Sequence, residues 1–224
     1  MKILEIFAGS RTFSKMAESY GHETYSTDIM NFEGIDQVCN IFDFDVGKMF
    51  KEFGKPDIIW ASIPCTTFSV ASIGTHWGGG KNQYVPKTEK SKLGIKITQA
   101  AIALKDLLDP KYFYFENPRG VLGKLDFLTR DMGKQNLIWY CQYGDIRAKP
   151  THIWSNDLTW KPRPICKNYR FDKEGNIIDR HCHHEAARRG ARTGTQGMKG
   201  NYERSKLPKE LCEEIIRGWA NENN

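Results

Sequence analysis

The chain has 224 residues, 39% of them hydrophobic and 12% aromatic, which suits one α/β domain with a small appendage and excludes two full domains. No apolar run approaches the ~20 residues that a membrane-spanning helix needs. The first Gly and Arg come too early for a signal peptide. We therefore expect a cytoplasmic protein whose six cysteines serve as core thiols, a nucleophile or metal ligands rather than as disulfides.

The net charge of +6 is unevenly distributed along the chain. Residues 146–204 carry 13 Lys and Arg against 6 Asp and Glu, a surplus of +7, so the remaining residues sum to −1. A near-neutral half followed by a basic segment is typical of a protein that binds a polyanion. A solvated basic surface is the alternative, and charge alone does not separate the two.

The first half of the chain alternates short apolar runs with amphipathic stretches. This pattern predicts strands over 2–7, 22–29, 56–64 and 111–117, and helices over 11–21, 46–54 and 96–108. Alternating strands and helices predict an α/β fold with a mostly parallel sheet and helices on both faces. In such a fold, ligands bind at the carboxyl ends of the strands.

Two segments interrupt this alternation. Residues 74–92 are rich in Gly and Lys, which indicates a mobile loop rather than a helix or strand. Residues 155–204 are irregular and basic. Beyond them, Leu207 and Pro208 lead into a clear helical pattern that ends the chain.

Candidate ligand-binding residues follow three of these segments. The turn Phe7-Ala8-Gly9-Ser10 comes directly after the first strand, where its backbone N–H groups can meet a ligand carboxylate or phosphate. Asp28 ends the second strand and can accept hydrogen bonds from ribose hydroxyls, and Asp43 can hold an adenine amino group. Each also fits an ordinary turn or helix cap, so these assignments depend on one another.

A cysteine stands where a nucleophile is expected, in the sequence PCTTFS that follows the strand over 56–64. In a turn that opens a helix, the positive field lowers the pKa of a thiol and exposes its thiolate. A structural cysteine lies more often within an apolar run. The position therefore favours Cys65 as a nucleophile.

A candidate acid follows in Glu116-Asn117-Pro118, at the end of the aromatic strand over 111–117. A carboxyl group at the mouth of a parallel sheet, behind aromatic residues, is partly desolvated and able to donate a proton near neutral pH. Taken alone, this motif fits a helix-capping acid before a Pro turn equally well. Beside a candidate nucleophile, it supplies the acid that covalent chemistry requires.

Four segments together resemble the C5 cytosine methyltransferase family, in the family's order: FAGS, PCTTFS, FENP and QYGDIRAKPTHIW at Gln142–Trp154. The resemblance covers nearly all of residues 1–154 and implies a Rossmann-like methyltransferase fold that uses S-adenosylmethionine (SAM). It implies that Cys65 adds to C6 of a cytosine flipped out of double-stranded DNA while Glu116 holds and protonates N3. Arg147 would contact O2 of the base or the adjacent backbone.

The resemblance also assigns binding residues. Those for the cofactor lie in the first turn, the next two strand ends, the nucleophile turn and the closing segment: Phe7, Ala8, Gly9, Ser10, Asp28, Ile29, Asp43, Phe44, Pro64 and Ser205. Those for DNA lie in the nucleophile turn, the acid motif and the basic segment: Pro64, Ser69, Asn117, Pro118, Lys149, Arg188, Arg189 and Arg192. The segment 74–92 would close over the DNA.

The resemblance divides the chain into three parts: a SAM-binding catalytic domain over 1–154, a short basic target-recognition region over 155–204, and a helix over 205–224 that packs back on the catalytic domain. The recognition region is much shorter than is usual in the family. Zinc is a candidate staple for it, although the ligand spacing matches no standard finger. The candidate ligands are Cys166, Cys182, His183 and His184.

Some features leave alternatives open. Arg11 stands where the family commonly has small residues; it can pair with Glu18 or Asp28, or favour a negatively charged SAM variant. Two other functions fit the motifs, namely a catalytically inactive DNA-binding relative and an RNA C5 methyltransferase. The small size suggests a phage or mobile element, and hence the cytoplasm of a bacterial or infected host cell.

Overall fold

The computed structural model describes residues 1–166, 170–171, 174, 177–179, 198 and 200–221. Its strands are β1 Lys2–Ile6, β2 Glu23–Asp28, β3 Gln37–Val38, β4 Ile58–Ser62, β5 Tyr112–Pro118, β6 Lys134–Trp139, β7 Pro150–Ser155, β8 Arg170–Phe171 and β9 Ile177–Asp179. The first seven form one sheet in the order β3-β2-β1-β4-β5-β7-β6, and β8 pairs with β9 separately.

The helices surround this sheet and alternate with its first strands. The α-helices are α1 Thr12–Ser19, α2 Val46–Glu52, α3 Ile73–His76, α4 Glu89–Leu108, α5 Asp126–Thr129, α6 Asn201–Ser205 and α7 Lys209–Asn221. Short 3-10 helices cover Ile41–Asp43, Val70–Ser72, Gly80–Asn82, Leu122–Lys124, Arg130–Met132 and Tyr140–Tyr143. No helix within the described residues has both the length and the apolar character to cross a membrane.

The predicted mostly parallel sheet is confirmed. Strands β1 to β5 run parallel, whereas β7 runs antiparallel to both of its neighbours, β5 and β6. The sequence pattern did not predict β6 or β7, because β6 begins with three polar residues and β7 begins with Pro150. Together they extend the sheet beyond β5 and bring the segment between them to the carboxyl end of β5.

Helices on both faces of the sheet are confirmed as well. Successive residues of β1 and β4 point to opposite faces, so Leu4 and Ile59 enter one core while Ile3 and Ile58 enter the other. In the second core α7 packs beside α1: Trp219 lies 6.0 Å from the Phe13 ring, measured between centroids. Helix α7 thereby covers the part of this same face of the sheet that α1 leaves exposed.

The composition of segment 74–92 predicts a loop without helices or strands. The structure instead contains helices within this segment. Trp77 is 1% exposed, its ring stacks 5.7 Å from that of Phe68, and its indole N–H donates to the Thr67 carbonyl at 2.6 Å. Helix α4 begins at Glu89, seven residues earlier than predicted, because Thr88 and Ser91 cap each other's backbone N–H groups. One buried aromatic side chain and a capping box therefore outweigh the local freedom of the glycines.

Replacing Trp77 tests this anchoring. Trp77→Ala should lower the free energy of unfolding by about 3–5 kcal/mol, the range for loss of a buried large aromatic side chain. Trp77→Phe keeps a ring against Phe68 and should cost less than half as much. Urea denaturation followed by circular dichroism measures both variants, and a loss below ~1 kcal/mol for Trp77→Ala would show that the segment is not anchored.

Candidate active site

Cys65 lies in the turn that follows β4, at the carboxyl edge of the sheet. Its carbonyl accepts the N–H groups of Phe68 and Ser69, both at 3.1 Å, and the next element is the 3-10 helix Val70–Ser72. No α-helix begins at Cys65, so the helix field that the sequence predicts there is absent. Cys65, the candidate nucleophile, lies in a tight turn instead.

The electrostatic environment of the thiol also differs from the prediction. Burial raises the pKa of Cys65 above its ordinary value, the nearby Lys149 ammonium lowers it, and the Glu116 carboxylate raises it. The expected lowering is therefore wrong, because the thiol is desolvated and no helix N-terminus compensates.

Glu116 lies near the carboxyl end of β5, two residues before the strand ends, and faces the same edge of the sheet. Its register places it opposite Ser62 of β4 and Ile153 of β7, and its side chain is buried. The Tyr140 hydroxyl donates to Oε1 at 2.8 Å, and the Lys149 ammonium lies 3.3 Å from the same oxygen. Tyr140 comes from the end of β6 and Lys149 from just before β7, so three segments meet at this carboxylate.

Asn117 joins the acid to the nucleophile turn. Its side-chain amide donates to the Ile63 carbonyl at 2.8 Å, and the Ile63 N–H donates to the Glu116 carbonyl at 2.9 Å. Asn117 is fully buried, and its Oδ1 has no hydrogen-bond partner among the described residues. Asn117, one of the predicted DNA ligands, positions the turn, and Pro118 beside it is partly exposed.

The same two turns meet again at Gly120, where Ser69 forms an isolated bridge with it. A Cβ on Gly120 would lie 2.1 Å from the Phe68 carbonyl oxygen, so no side chain fits at this position. The Val121 N–H donates to that carbonyl at 2.8 Å. Backbone contacts therefore fix the Cys65 turn against the turn that follows Glu116.

The Arg147 side chain is held by a local ion pair with Asp145. Its guanidinium is 2% exposed and binds the Asp145 carboxylate through Nε at 2.8 and 3.0 Å and also through Nη2. Nη2 donates in addition to the Lys206 carbonyl at 2.8 Å. Within the described residues, Lys149 is the cation that donates to the Glu116 carboxylate, while the planar guanidinium of Arg147 pairs with the carboxylate two residues before it.

A cavity of about 80 Å³ opens beside the nucleophile turn, at the carboxyl ends of β1, β2 and β4. Its lining contains four predicted cofactor ligands, Phe7, Asp28, Ile29 and Pro64. Asp43 and Phe44 do not line it. The other residues that do, which the sequence reasoning missed, are Ile6, Thr27, Cys39, Asn40, Ile41 and Ile97. Asn40 caps the 3-10 helix Ile41–Asp43, and this capping role is the signal that could have drawn attention to it.

The backbone N–H groups in and just after the FAGS turn already form hydrogen bonds within the protein. The expected backbone contacts to a ligand carboxylate are occupied inside the protein: Ala8 N–H to Thr27 carbonyl at 3.0 Å, Gly9 N–H to Asp28 Oδ2 at 2.9 Å, Ser10 N–H to Ser205 Oγ at 3.1 Å, and Arg11 N–H to Ala8 carbonyl at 2.8 Å. Gly9 has φ +50°, and a Cβ there would lie 2.6 Å from Ser205 Oγ. The Ser205 side chain therefore contacts this turn directly and holds the closing segment against it.

Arg11 also finds its partners within the protein. Its guanidinium donates to Glu18 at 2.6 Å, to Ser26 at 3.1 Å and to Thr24 at 3.2 Å, between α1 and β2. Pairing with Glu18 is one of the two pairings that the sequence suggests. Arg11 does not line the cavity, so its side chain gives no reason to invoke a negatively charged cofactor variant.

Several predicted residues lie outside the described residues, namely Cys182, His183, His184, Arg188, Arg189 and Arg192. Cys166, the remaining candidate zinc ligand, is buried. The described residues contain no group of three or more His, Cys, Asp or Glu side chains that could hold a metal ion. Zinc binding in the recognition region stays a prediction.

The sheet order, the antiparallel β7 and a cavity at the strand ends define a Rossmann-like methyltransferase fold, as predicted. Two solved structures share this fold, one titled a "putative DNA modification methyltransferase encoded within prophage" (E. coli) and the other the Entamoeba histolytica methyltransferase EhMeth. Their TM-scores are 0.50 and 0.51, both at 14% identity over 74% and 73% of this chain. This chain spans about half the length of each, 51% and 55%.

A curated protein of frog virus 3 (isolate Goorha), named "Probable DNA (cytosine-5)-methyltransferase", is 27% identical over 167 residues, which are 73% of this chain and 74% of the viral protein. No protein-family profile matches the chain. The viral relative confirms the resemblance to C5 cytosine methyltransferases that the motifs indicate.

Alkylation of Cys65 tests the electrostatics of the nucleophile turn. Because burial raises its pKa, its reaction with iodoacetamide should be slow at pH 7 and keep accelerating beyond about pH 8.5, the ordinary thiol value. Lys149→Met removes the cation that favours the thiolate and should move the curve to higher pH. Peptide mapping by mass spectrometry, with Cys65→Ser as the blank, gives the rates. A plateau already reached near pH 7 would contradict this description.

Proposed function

We propose that this chain transfers a methyl group from SAM to C5 of cytosine in double-stranded DNA. The observation that carries the proposal is the fixed placement of Cys65 and Glu116 on contacting turns, next to a cavity that Pro64 also lines. A cysteine nucleophile and a carboxyl group are the pair that attack at C6 and protonation at N3 require. The name of the frog virus 3 relative supports DNA as the substrate.

The cavity residues fit the nucleoside end of SAM. Phe7, Ile29 and Pro64 supply apolar walls for a purine ring. Each Asp28 oxygen accepts one backbone N–H, from Gly9 at 2.9 Å and from Met30 at 2.8 Å, which leaves lone pairs for ribose hydroxyls. The volume is below the ~300–1,000 Å³ of whole ligand pockets, so the cavity takes only one end of the molecule. When bound, SAM supplies an electrophilic methyl group.

In the proposed mechanism the Cys65 thiolate forms a bond to C6 of a flipped cytosine while Glu116 delivers a proton to N3. This addition would move the π electrons of the C5–C6 double bond toward C5, and that pair would bond to the methyl group that SAM supplies while the S–CH3 bond breaks with its electrons on the departing sulfur. Loss of the C5 proton to a base, cleavage of the C6–S bond and return of the N3 proton to Glu116 would then restore the aromatic ring. Each protein step uses a group that the two contacting turns hold in place.

Lys149 takes the role that the sequence assigns to Arg147. Its ammonium lies beside Glu116 and lowers the pKa of Cys65, so it favours the thiolate that must form before attack. Arg147 donates hydrogen bonds to Asp145 and to the Lys206 carbonyl, and it thereby connects the segment before β7 to the closing segment. We therefore assign the contact with the base to Lys149 and a structural role to Arg147.

The division of the chain follows from the same proposal. Residues 1–154 would form the catalytic domain, 155–204 the target-recognition region and 205–224 the closing helix. The packing of α7 beside α1 and the contact of Ser205 with the FAGS turn support this division. The surplus of positive charge in residues 146–204 supports contact between the recognition region and DNA.

A covalent trap tests the proposed chemistry. With SAM and DNA that contains 5-fluorocytosine, the wild type should form a protein–DNA adduct, because fluorine blocks loss of the C5 substituent and leaves Cys65 attached to C6. Cys65→Ser should form none, and Cys212→Ser, the matched control at a cysteine buried in the second core and outside the cavity, should leave the adduct yield within about twofold of wild type. Denaturing electrophoresis and mass spectrometry of the linked peptide provide the readout. An adduct that persists in Cys65→Ser would refute the mechanism.

The role of the basic segment is tested by its salt dependence. Changing Arg188, Arg189 and Arg192 to Gln should weaken DNA binding and flatten the plot of log K against log salt by about 2–3 units, close to ~0.9 per lost phosphate contact. Lys48, Lys51 and Lys55, on or just after α2, provide a matched triple control that removes the same charge. Equal slopes in both triple variants would remove the segment from the DNA interface.

A further inference from the structure

The Glu116 carboxylate is held by a group that the methyl-transfer scheme does not use, the Tyr140 hydroxyl. Tyr140 opens the 3-10 helix after β6 and is fully buried. Its backbone N–H donates to the Lys149 carbonyl at 3.2 Å, which sets the two side chains next to each other. The sequence pattern does not point to this residue, because it predicts no strand over β6 and therefore does not place Tyr140 near the acid.

The donors around the acid converge on one of its two oxygens. The Tyr140 hydroxyl lies 2.8 Å and the Lys149 ammonium 3.3 Å from Oε1, and these two donors lie 3.3 Å from each other. The ammonium also sits 4.5 Å from the centroid of the Tyr140 ring. Among the described residues, every side-chain donor to Glu116 reaches Oε1, so Oε2 remains available to a substrate.

The direction of the hydrogen bond follows from the protonation of both groups. Burial and the neighbouring Glu116 charge raise the pKa of Tyr140 well above its ordinary value, so the phenol keeps its proton. An ionised carboxylate only accepts hydrogen bonds. The hydroxyl therefore donates to Glu116, stabilises its charged form and restrains rotation of the carboxylate.

We propose that Tyr140 is a positioning residue that fixes Oε1 of Glu116 and directs Oε2 to N3 of the flipped base. This inference rests on the proposed function. With Oε1 held by two donors, the proton that Glu116 gives to N3 travels on Oε2. Loss of the hydroxyl would let the carboxylate rotate and would leave Lys149 as its remaining donor.

Tyr140→Phe removes this hydroxyl and keeps the buried ring under the Lys149 ammonium. We expect kcat for methyl transfer to fall roughly 10- to 100-fold, the effect of losing a hydrogen bond to a charged group. KM for DNA and for SAM should change less than about threefold, because the ground-state contacts remain. Tyr143→Phe is the matched control: it removes another buried hydroxyl from the same 3-10 helix, one that accepts the Arg163 N–H at 2.9 Å.

The pH profile separates positioning from general damage. Glu116 acts in its protonated form, so activity falls as the pH rises through its ionisation. The lost donor stabilised the carboxylate, so in Tyr140→Phe the acid keeps its proton to higher pH and the alkaline limb of kcat moves upward. Tyr143→Phe should leave that limb in place.

A readout without turnover keeps the two proposals apart. In protein labelled with ¹³C at glutamate side chains, with the Glu116 signal assigned through Glu116→Gln, that signal should titrate at higher pH in Tyr140→Phe than in wild type. If wild type methylates no nucleic acid, the proposed function fails, and the titration still decides whether Tyr140 controls Glu116. An unshifted titration, or a kcat for Tyr140→Phe equal to that of Tyr143→Phe, overturns the inference.

Discussion

The backbone contact between the turn after β4 and the turn after β5 is the constraint on which the site depends. It rests on the Asn117 amide, which reaches the Ile63 carbonyl, and on Gly120, which lets the second turn approach the Phe68 carbonyl. Parallel pairing of β4 with β5 already sets Ser62 opposite Glu116, so both turns start from the same edge. A nucleophile and an acid two strands apart could not be held at a fixed separation in this way.

Burial then determines how the charges in the site behave. Glu116, Lys149, Tyr140 and Arg147 lie together in a region with little solvent, where an unpaired charge is costly. The structure pairs Arg147 with Asp145 and Lys149 with Glu116, and it leaves Cys65 desolvated. The proposed chemistry accordingly draws on a cation beside the acid rather than on a helix dipole beside the thiol.

The sequence predicts the fold class well, since strand periodicity and the order of the motifs depend on local pattern. It also directs attention to Cys65 and Glu116, which the structure places at the carboxyl ends of neighbouring strands. It does not predict the partners of Glu116, because Tyr140 reaches the acid through the antiparallel strands β6 and β7, whose pairing is not local. The hydrogen bonds of Arg147 were not predicted for a similar reason, because its pairing with Asp145 depends on the conformation of one turn. Trp77 shows that a single buried ring can order a segment whose composition indicates flexibility.

The proposed transfer of a methyl group to cytosine in DNA is tested most directly with methyl-labelled SAM. The purified chain is incubated with it and, in parallel, genomic DNA or tRNA, and the labelled nucleoside is identified by mass spectrometry. We expect labelled 5-methylcytosine from DNA, with the modified sites clustered in one sequence context. Label in tRNA alone would contradict the assignment of DNA as substrate. Absence of label from both nucleic acids, with SAM and DNA binding intact, would contradict the assignment of an active methyltransferase.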